Sequence, residues 1–299
     1  MFENPFQSPG NWYRANLHSH TTVSDGDLSP ADCCEFYRRK GYHILAITDH
    51  WNVADYASER KDFLVINGAE LDGGQPAQGS SFHIVGINMR TRGRVEVPHR
   101  ASAQNVVDFI REDGGEVFIA HPYWSGLMAP EIAELAGCFA VEVYNTGCDL
   151  EILRGFSMVQ WDDLLHTGHP VGAVAVDDGH HSAVDHGLAW TMIRAEELSA
   201  EAVMDALRKG RYYSSIGPEI KDLRIAAGRI RVKTSPVRSI ALVGAPTKGD
   251  RAFGRDGRSI TQAEFSLPNR GRYCRFEAID RNGMRAWSNP IPVPPQEGE

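Results

Sequence analysis

The sequence ANLHSHTTVSDG occupies residues 15–26 and places His18, His20 and Asp25 close together, just after a short apolar run. If residues 13–17 form a strand, His18 and His20 point to the same face, because successive side chains of a strand alternate. Two imidazoles at the end of a strand, with a carboxylate on the following loop, are typical of the start of a divalent-metal site. A pair of surface histidines on an edge strand is the alternative, and the rest of the chain must decide.

The composition is that of an ordinary globular protein. The chain has 299 residues, of which 42% are hydrophobic and 23% charged, and it carries a formal net charge of −8. At roughly 150 residues per domain, this length suggests one large domain or two ordinary ones. No run of Lys and Arg is long enough to bind a polyanion, so long nucleic acid is disfavoured. A small anionic or nucleotide-sized substrate remains possible.

The cysteine pattern and the hydropathy favour a cytoplasmic protein with no membrane partner. The five cysteines form no C-x-x-C pair and no even disulfide framework, which indicates a reducing compartment and argues against a thiolate zinc site. The first 14 residues lack the basic and apolar regions of a signal peptide. No apolar run approaches the ~20 residues needed to cross a bilayer.

Apolar strands alternate with capped helices over the first two thirds of the chain. We predict strands over residues 13–17, 43–50, 63–71, 81–89, 116–122, 139–145, 170–181 and 187–195. We predict helices over residues 31–41, 102–112, 156–166 and 195–210, with Ser-Pro or Ser starts and glycine stops. This order indicates an α/β fold, either a parallel barrel or a doubly wound sheet.

The C-terminal part has a different residue pattern. From about residue 211, short β-prone pieces are separated by Gly, Pro, Asn and Asp turns, and no histidine follows. This pattern predicts a small all-β, sandwich-like domain over residues 216–299, after a first domain over residues 1–215. The chemistry is therefore expected in the first domain.

Most candidate ligands in that first domain lie at the C-terminal ends of predicted strands, where the loops of an α/β barrel converge on a site. They are six imidazoles and three carboxylates: His18, His20, Asp25, His50, Glu70, His83, His121, Asp178 and His180. Nitrogen and oxygen donors suit Zn, Mn, Fe or Co. Nine ligands exceed the four to six or so that one ion takes, so two or three ions must share them. Glu70 is the natural bridge, because a carboxylate has two oxygens.

The ordered motifs HSH with SDG, TDH, GAE, a later histidine strand, AHP and Asp-Gly-His resemble the PHP (polymerase and histidinol phosphatase) metallohydrolases over roughly the first 210 residues. The segments GRYYSSIGPEI and AWSNPI are similar to the carbaryl-hydrolase-like branch of that family. The resemblance implies a distorted (β/α)7-type barrel with a C-terminal β domain. It also implies three ligand sets, which are His18, His20, Glu70 and Asp178; Glu70, His83 and His121; and Asp25, His50 and His180.

Some assignments stay open in the sequence. Asp178 and His180 are favoured as ligands over the shifted pair Asp177 and His181. Asp49 is expected to support a metal-bound histidine rather than to bind metal. Asn145, Tyr123, Trp124 and His181 are candidate substrate contacts, with core packing as the alternative for the first three. The remaining histidines lack motif support and are expected to be structural or exposed: His43, His99, His166, His169 and His186.

The expected chemistry is metal-dependent hydrolysis of a small phosphomonoester or phosphodiester. Three divalent ions would outweigh the charge of the three carboxylates, which suits an anionic substrate. A hydroxide bridging two ions would be the nucleophile, and Glu70, His83, His121 and Asp178 would frame the reacting centre. The alternatives are a carbamate, ester or amide metallohydrolase, and, third, a non-catalytic binding protein. No G-x-S-x-G elbow, P-loop or dinucleotide glycine motif is present.

Overall fold

The computed structural model describes residues 3–97, 101–181, 184–244, 247–269 and 271–293. Its helices are α1 (Pro30–Arg39), α2 (Ala103–Glu112), α3 (Ala129–Ala133), α4 (Thr146–Ile152), α5 (Met158–Thr167) and α6 (Ala200–Arg208). The short helices α3 and α4 are not predicted from the sequence. None of the described helices is long and apolar enough to span a membrane.

Within the described ranges, twenty strands accompany the helices. The first eleven are β1 (Asn11–Asn16), β2 (Ile44–Ile47), β3 (Asn52–Val53), β4 (Ser58–Glu59), β5 (Leu64–Gly73), β6 (Phe82–Ile87), β7 (Gly93–Arg94), β8 (Glu116–Ile119), β9 (Cys138–Asn145), β10 (Gly172–Val176) and β11 (Trp190–Ala195). The others are β12 (Tyr212–Ser215), β13 (Ile220–Ala226), β14 (Arg229–Val237), β15 (Ser239–Gly244), β16 (Gly249–Phe253), β17 (Ile260–Ser266), β18 (Tyr273–Ile279), β19 (Arg285–Ser288) and β20 (Ile291–Pro292).

Local sequence signals account for the longer helices. Ser102 begins α2, where its hydroxyl accepts a hydrogen bond from the Asn105 backbone and the Asn105 side chain accepts one in return. Such a cap stabilises a helix by about 1 kcal/mol. The apolar face of α2 is buried through Val106, Val107 and Ile110, so the 3.6-residue pattern packs against the sheet as predicted.

One large mixed sheet carries the α/β fold. Its strands lie in the order β10-β9-β8-β6-β5-β2-β1-β11-β12-β19-β18-β15-β16. The pairs β1–β2, β2–β5, β8–β9 and β9–β10 are parallel, as the sequence predicts. Among the described residues these strand pairs form an open path, so closure into a barrel is not shown.

The sheet is not wholly parallel, which corrects the expectation of a purely parallel arrangement. Strand β6 runs antiparallel to both β5 and β8, and β11 runs antiparallel to β1. Parallel neighbours need a crossover of a dozen or more residues, usually a helix. Only a short Gly-, Gln- and Ser-rich loop joins β5 to β6, so the chain reverses direction there.

The C-terminal part is rich in strands, consistent with a β domain. A separate three-stranded sheet, β13-β14-β17, packs against the continuation of the large sheet, and the two share one buried apolar cluster. Arg275 of β18 is buried and binds Asp162 of α5 through Nε and Nη2, each 2.7 Å from a carboxylate oxygen. The division at residue 215 stays a prediction.

Candidate metal centre

Isolated backbone bridges beyond the strands bring four distant segments side by side. Ser19 pairs with Gly179, and His50 pairs with Glu70, both in parallel register. The peptide N–H of Asp178 also donates to the carbonyl of His18 at 3.0 Å. Because these segments follow β1, β2 and β10 or lie within β5, their polar side chains meet at one end of the sheet, where strand ends of α/β folds place ligands.

The first cluster is fully buried and consists of His18, His20, Glu70 and Asp178. Glu70 Oε2 lies 3.1 Å from His18 Nε2 and 3.2 Å from His20 Nε2. Asp178 Oδ1 lies 3.0 Å from His20 Nε2. Four donors from three segments of the chain therefore face one point.

The second cluster consists of Glu70, His83 and His121. Glu70 Oε1 lies 2.7 Å from His83 Nδ1 and 3.2 Å from His121 Nε2. The two oxygens of Glu70 thus face different clusters, Oε2 toward the first and Oε1 toward the second. This is the arrangement of a carboxylate that bridges two cations.

The third cluster is nearer the surface and consists of His20, Asp25, His50 and His180. Asp25 Oδ1 lies 3.5 Å from His180 Nε2, and Asp25 Oδ2 lies 3.6 Å from His50 Nε2. The Asp25 side chain is 54% exposed, whereas that of Glu70 is 2% exposed. The three clusters together contain all nine residues singled out in the sequence.

The donor geometry of the first cluster fits a divalent cation. The Nε2 atoms of His18 and His20 face each other at 3.1 Å, and Asp178 Oδ1 lies 3.2 Å from the first and 3.0 Å from the second. Ligands about 2.1 Å from one tetrahedral ion lie about 3.4 Å from each other, close to the spacing observed here. An all-nitrogen and oxygen set is suited to Zn, Mn, Fe or Co.

Backbone strain concentrates at the same place. His121 has φ 26° and Asp178 has φ 51°, both in the left-handed region that non-glycine residues avoid. Such conformations cost on the order of 1–3 kcal/mol each and persist where the surroundings hold them. The hydrogen bond from His121 N to Glu142 Oε2, at 2.7 Å, is one such restraint. Strained backbone at two donor positions supports a functional role for this end of the sheet.

Charge interactions within the clusters shift the protonation of their members. Burial lowers the pKa of His20, but the Asp178 and Glu70 carboxylates outweigh it and raise the pKa to about 9. Burial raises the pKa of Glu70, yet the neighbouring His18, His121 and His20 hold it well below its ordinary value. Without cations, the charged form of His20 is favoured because it balances the buried carboxylates.

We expect the chelator-treated protein to lose stability as the pH rises from 6.5 to 9. Because the folded-state pKa of His20 is raised to about 9 from 6.5, its stabilising charge is fully present below pH 6.5 and is lost as the pH passes 9. Thermal unfolding followed by circular dichroism across this range tests it. His20→Gln should flatten the profile, and a melting temperature of the chelator-treated wild type that rises with pH over this range would contradict the prediction.

The sequence analysis missed Glu142, which lies fully buried in β9. Its Oε1 lies 2.7 Å from His18 Nδ1, and its Oε2 accepts hydrogen bonds from His121 N and Asn145 Nδ2 at 2.7 and 2.8 Å. Glu142 therefore orients donors of both the first and the second cluster. A lone carboxylate between Val141 and Val143, in an otherwise apolar strand, is the signal that could have revealed it.

Cys148 is a second residue near the donors that no sequence motif indicates. Its sulfur lies within 4.8 Å of donor atoms of His121 and Asp178, and the thiol is buried at the cavity wall. The expectation of a ligand set without a thiolate stays a prediction. Burial, together with the neighbouring Asp178, Glu142 and Glu70 carboxylates, raises the pKa of this thiol far above its usual value.

The carboxylates of Asp49 and Asp177 form hydrogen bonds with other residues rather than directly with the imidazole rings of the donors. Asp49 accepts hydrogen bonds from Thr21 and from Ser24 Oγ at 2.7 to 2.8 Å and reaches His20 only through Ser24. Asp49 thus contacts the donor His20 through the Ser24 hydroxyl, and its role in supporting a metal-bound histidine stays a prediction. Asp177 accepts from Tyr37 Oη at 2.9 Å and from the backbone N–H groups of residues 187–189. In this structure Asp178 and His180, not Asp177, contribute to the donor clusters.

A cavity of about 330 Å³ is lined by members of all three clusters. Of the candidate substrate contacts, Trp124 and His181 line it, whereas Tyr123 and Asn145 are not among its described lining residues. Asn145 is fully buried behind the site, where its Nδ2 donates to Glu142 and to Asp178 Oδ2 at 3.0 Å. Tyr123 is 42% exposed, with the Arg154 guanidinium 5.2 Å from its ring centre.

The described histidines without motif support lie outside the donor clusters. His186 is buried with its Nδ1 2.8 Å from Asp185 Oδ1, and His43 Nδ1 accepts a hydrogen bond from Arg14 N. His166 is exposed, and His169 contacts Thr167. His99 lies outside the described residues.

Comparison with known proteins supports the fold. No family model matches the chain. A solved two-domain protein of Bacteroides vulgatus, containing a predicted PHP-like metal-dependent phosphoesterase, superposes over 97% of this chain and 99% of its own, with TM-score 0.53 and 13% identity. At that identity the likeness concerns the fold alone. The chain is therefore a mixed α/β protein of this fold, whose strand ends gather donors suited to divalent cations.

Two curated proteins match parts of the sequence. A segment of 78 residues is 33% identical to a 5'-3' exoribonuclease of Haemophilus influenzae, covering 24% of this chain and 28% of that enzyme. A segment of 121 residues is 26% identical to an uncharacterized protein of Methanocaldococcus jannaschii, covering 37% of this chain and 68% of that protein. The chain thus spans little more than a quarter of the exoribonuclease.

Proposed function

We propose that this protein is a metal-dependent phosphoesterase of the PHP kind that hydrolyses a small-molecule phosphomonoester or phosphodiester. The observation that carries the proposal is the position of Glu70, whose two oxygens face two separate sets of nitrogen and oxygen donors. Adjacent cations bridged by one carboxylate are the arrangement that phosphoryl-transfer chemistry uses to hold a phosphate. The likeness in fold to a phosphoesterase-containing protein adds support.

The residues present fit two or three divalent ions, with Mn, Zn or Fe suited to the donor set. A first ion would be held by His18, His20, Glu70 and Asp178, a second by Glu70, His83 and His121, and a third by Asp25, His50 and His180. When bound, such ions supply Lewis-acid stabilisation of phosphoryl charge and lower the pKa of a coordinated water. We also propose a barrel-like closure of the sheet around this centre and a cytoplasmic location.

The charges of the cavity's side chains determine what a bound anion requires. Ten of its thirteen lining residues are His, Asp or Glu, and none of the described ones is Lys or Arg. The five carboxylates among them would repel a phosphate group by Coulomb interaction. Phosphate binding must therefore depend on cations in the clusters. We propose a small anionic substrate rather than polymeric nucleic acid, because the described lining offers no Lys or Arg to contact a nucleic-acid backbone.

A neutral carbamate or ester is a poorer fit to this cavity. Such a substrate calls for an apolar wall, for which the aromatic residues near the strand ends are the candidates: Trp51, Trp124 and Tyr144. Tyr144 is buried against Phe156 and Trp287, and Trp51 donates to Asp72 and lines a different cavity. Only Trp124 of the three faces the donors. The polar lining favours a phosphate ester.

A substrate panel with ion analysis tests the function. The full chain is purified without chelator, its ion content is measured by mass spectrometry, and aliquots are stripped and reloaded with Mn²⁺, Zn²⁺ or Fe²⁺. We expect ion-dependent hydrolysis of 4-nitrophenyl phosphate or bis(4-nitrophenyl) phosphate, and more than one ion per chain. Fewer than one ion per chain would favour a binding protein, and cleavage of nitrophenyl acetate or a carbamate without phosphatase activity would favour the other hydrolases.

A further inference from the structure

Trp124 forms a fixed wall beside the second cluster. It lies in the turn that follows β8, three residues after His121, and this turn is closed by Ser125 Oγ, 2.9 Å from His121 Nδ1. The indole stands edge-on to two imidazoles, with ring centres 5.0 Å from His121 and 5.7 Å from His83. The side chain is only partly buried, so part of its ring surface borders the cavity.

Glu151 holds the indole of Trp124 through its ring nitrogen. It lies in α4, and its carboxylate accepts a hydrogen bond from Trp124 Nε1 at 2.8 Å. Helix α4 is itself anchored at its start, where Asn145 Oδ1 accepts a hydrogen bond from Cys148 N at 2.9 Å. The indole is therefore restrained by its own turn and by α4.

The rest of the cavity lining offers little flat carbon surface. Apart from Trp124, the described lining consists of His, Asp and Glu residues, one glycine and Cys148. If the phosphoryl group of the substrate lies near the donors, the leaving group of the ester extends along the cavity walls. Against the indole of Trp124, a leaving group with a flat ring should bind more tightly than an aliphatic one, because stacked aromatic pairs contribute binding energy beyond the area they bury.

We propose that Trp124 is a specificity-determining residue that stacks against a flat, unsaturated leaving group of the phosphate ester, and that Glu151 is the positioning residue that fixes the indole. The inference rests on the proposed phosphoesterase function and adds to it a substrate class, esters of aromatic or heteroaromatic alcohols. It predicts discrimination between aromatic and aliphatic ligands that carry the same acidic group.

The test compares two phosphonates that the enzyme cannot cleave. Binding of phenylphosphonate and ethylphosphonate to the Mn²⁺-loaded full chain is measured by calorimetry, with ion content determined in the same samples. We expect Trp124→Leu to weaken phenylphosphonate about tenfold and ethylphosphonate by less than about twofold. Trp124→Phe, which keeps a ring, should retain most of the preference.

The Glu151 variants separate positioning from simple structure. Glu151→Gln keeps an oxygen that accepts from the indole and should preserve the preference, whereas Glu151→Ala should reduce it about threefold. Trp190→Phe, outside the cavity lining, should leave both affinities unchanged. Equal weakening of the two phosphonates in Trp124→Leu, or no preference in the wild type, would overturn this inference alone. Absence of ion-dependent phosphatase activity in the wild type would instead overturn the proposed function, and this inference with it.

Discussion

Glu70→Gln is expected to lower kcat on phosphate esters by at least about a thousandfold, because paired cations supply several kcal/mol to phosphoryl transfer. The carboxylate of Glu70 presents one oxygen to each of two clusters. An amide has one oxygen and one NH2 group, so it can serve only one cluster and turns a donor toward the other. Steady-state kinetics with 4-nitrophenyl phosphate and ion analysis of the same samples measure the result.

Glu116→Gln provides the matched control for Glu70→Gln. Glu116 is also a buried glutamate, but it forms ion pairs with Arg111 and Arg208 away from the donor clusters. The control should keep its ions and its kcat, and both variants should retain a folded far-ultraviolet spectrum. If Glu70→Gln kept its full ion content and lost less than tenfold in kcat, the bridging assignment would be wrong.

Glu142→Gln is expected to weaken ion binding about 10–100-fold, the usual effect of removing a residue that orients metal ligands. All three groups that approach the carboxylate of Glu142 present hydrogen to it: the backbone of His121, the amide of Asn145 and, once Nε2 is free for an ion, His18 Nδ1. A glutamine would bring its own N–H groups against these donors. Competition with a fluorescent chelator for Mn²⁺ or Zn²⁺ measures the change in affinity.

A stability measurement separates this effect from general damage. The chelator-treated Glu142→Gln and Glu116→Gln variants should unfold at comparable denaturant concentrations, while only Glu142→Gln shows weakened ion binding. At low ion concentration Glu142→Gln should also lose kcat, because fewer of its clusters are occupied. Excess ion should restore much of that kcat, since the cluster residues themselves are intact. Wild-type ion affinity in Glu142→Gln would show that His18 and His121 are held by their own packing.

The helix caps and the spacing of the donors can be predicted from the sequence because they depend on residues close together in the chain. Ser102 begins α2 and Ser199 begins α6 through hydrogen bonds that span three residues. Similarly, strand periodicity places His18 and His20 on one face. The motifs at strand ends then suffice to predict that distant donors meet, since the ends of neighbouring strands share one edge of a sheet.

The sequence by itself determined the α/β class, the main helices and the nine donors that gather at one end of the sheet. The tertiary structure decided that β6 and β11 reverse direction, that Glu142 stands behind two clusters, and that Trp124 rather than Tyr144 borders the cavity. The physical reason is the distance along the chain between the residues in contact. Caps and strand faces follow from contacts within a few residues, whereas strand pairing and the burial of a side chain depend on segments that only the completed fold brings together.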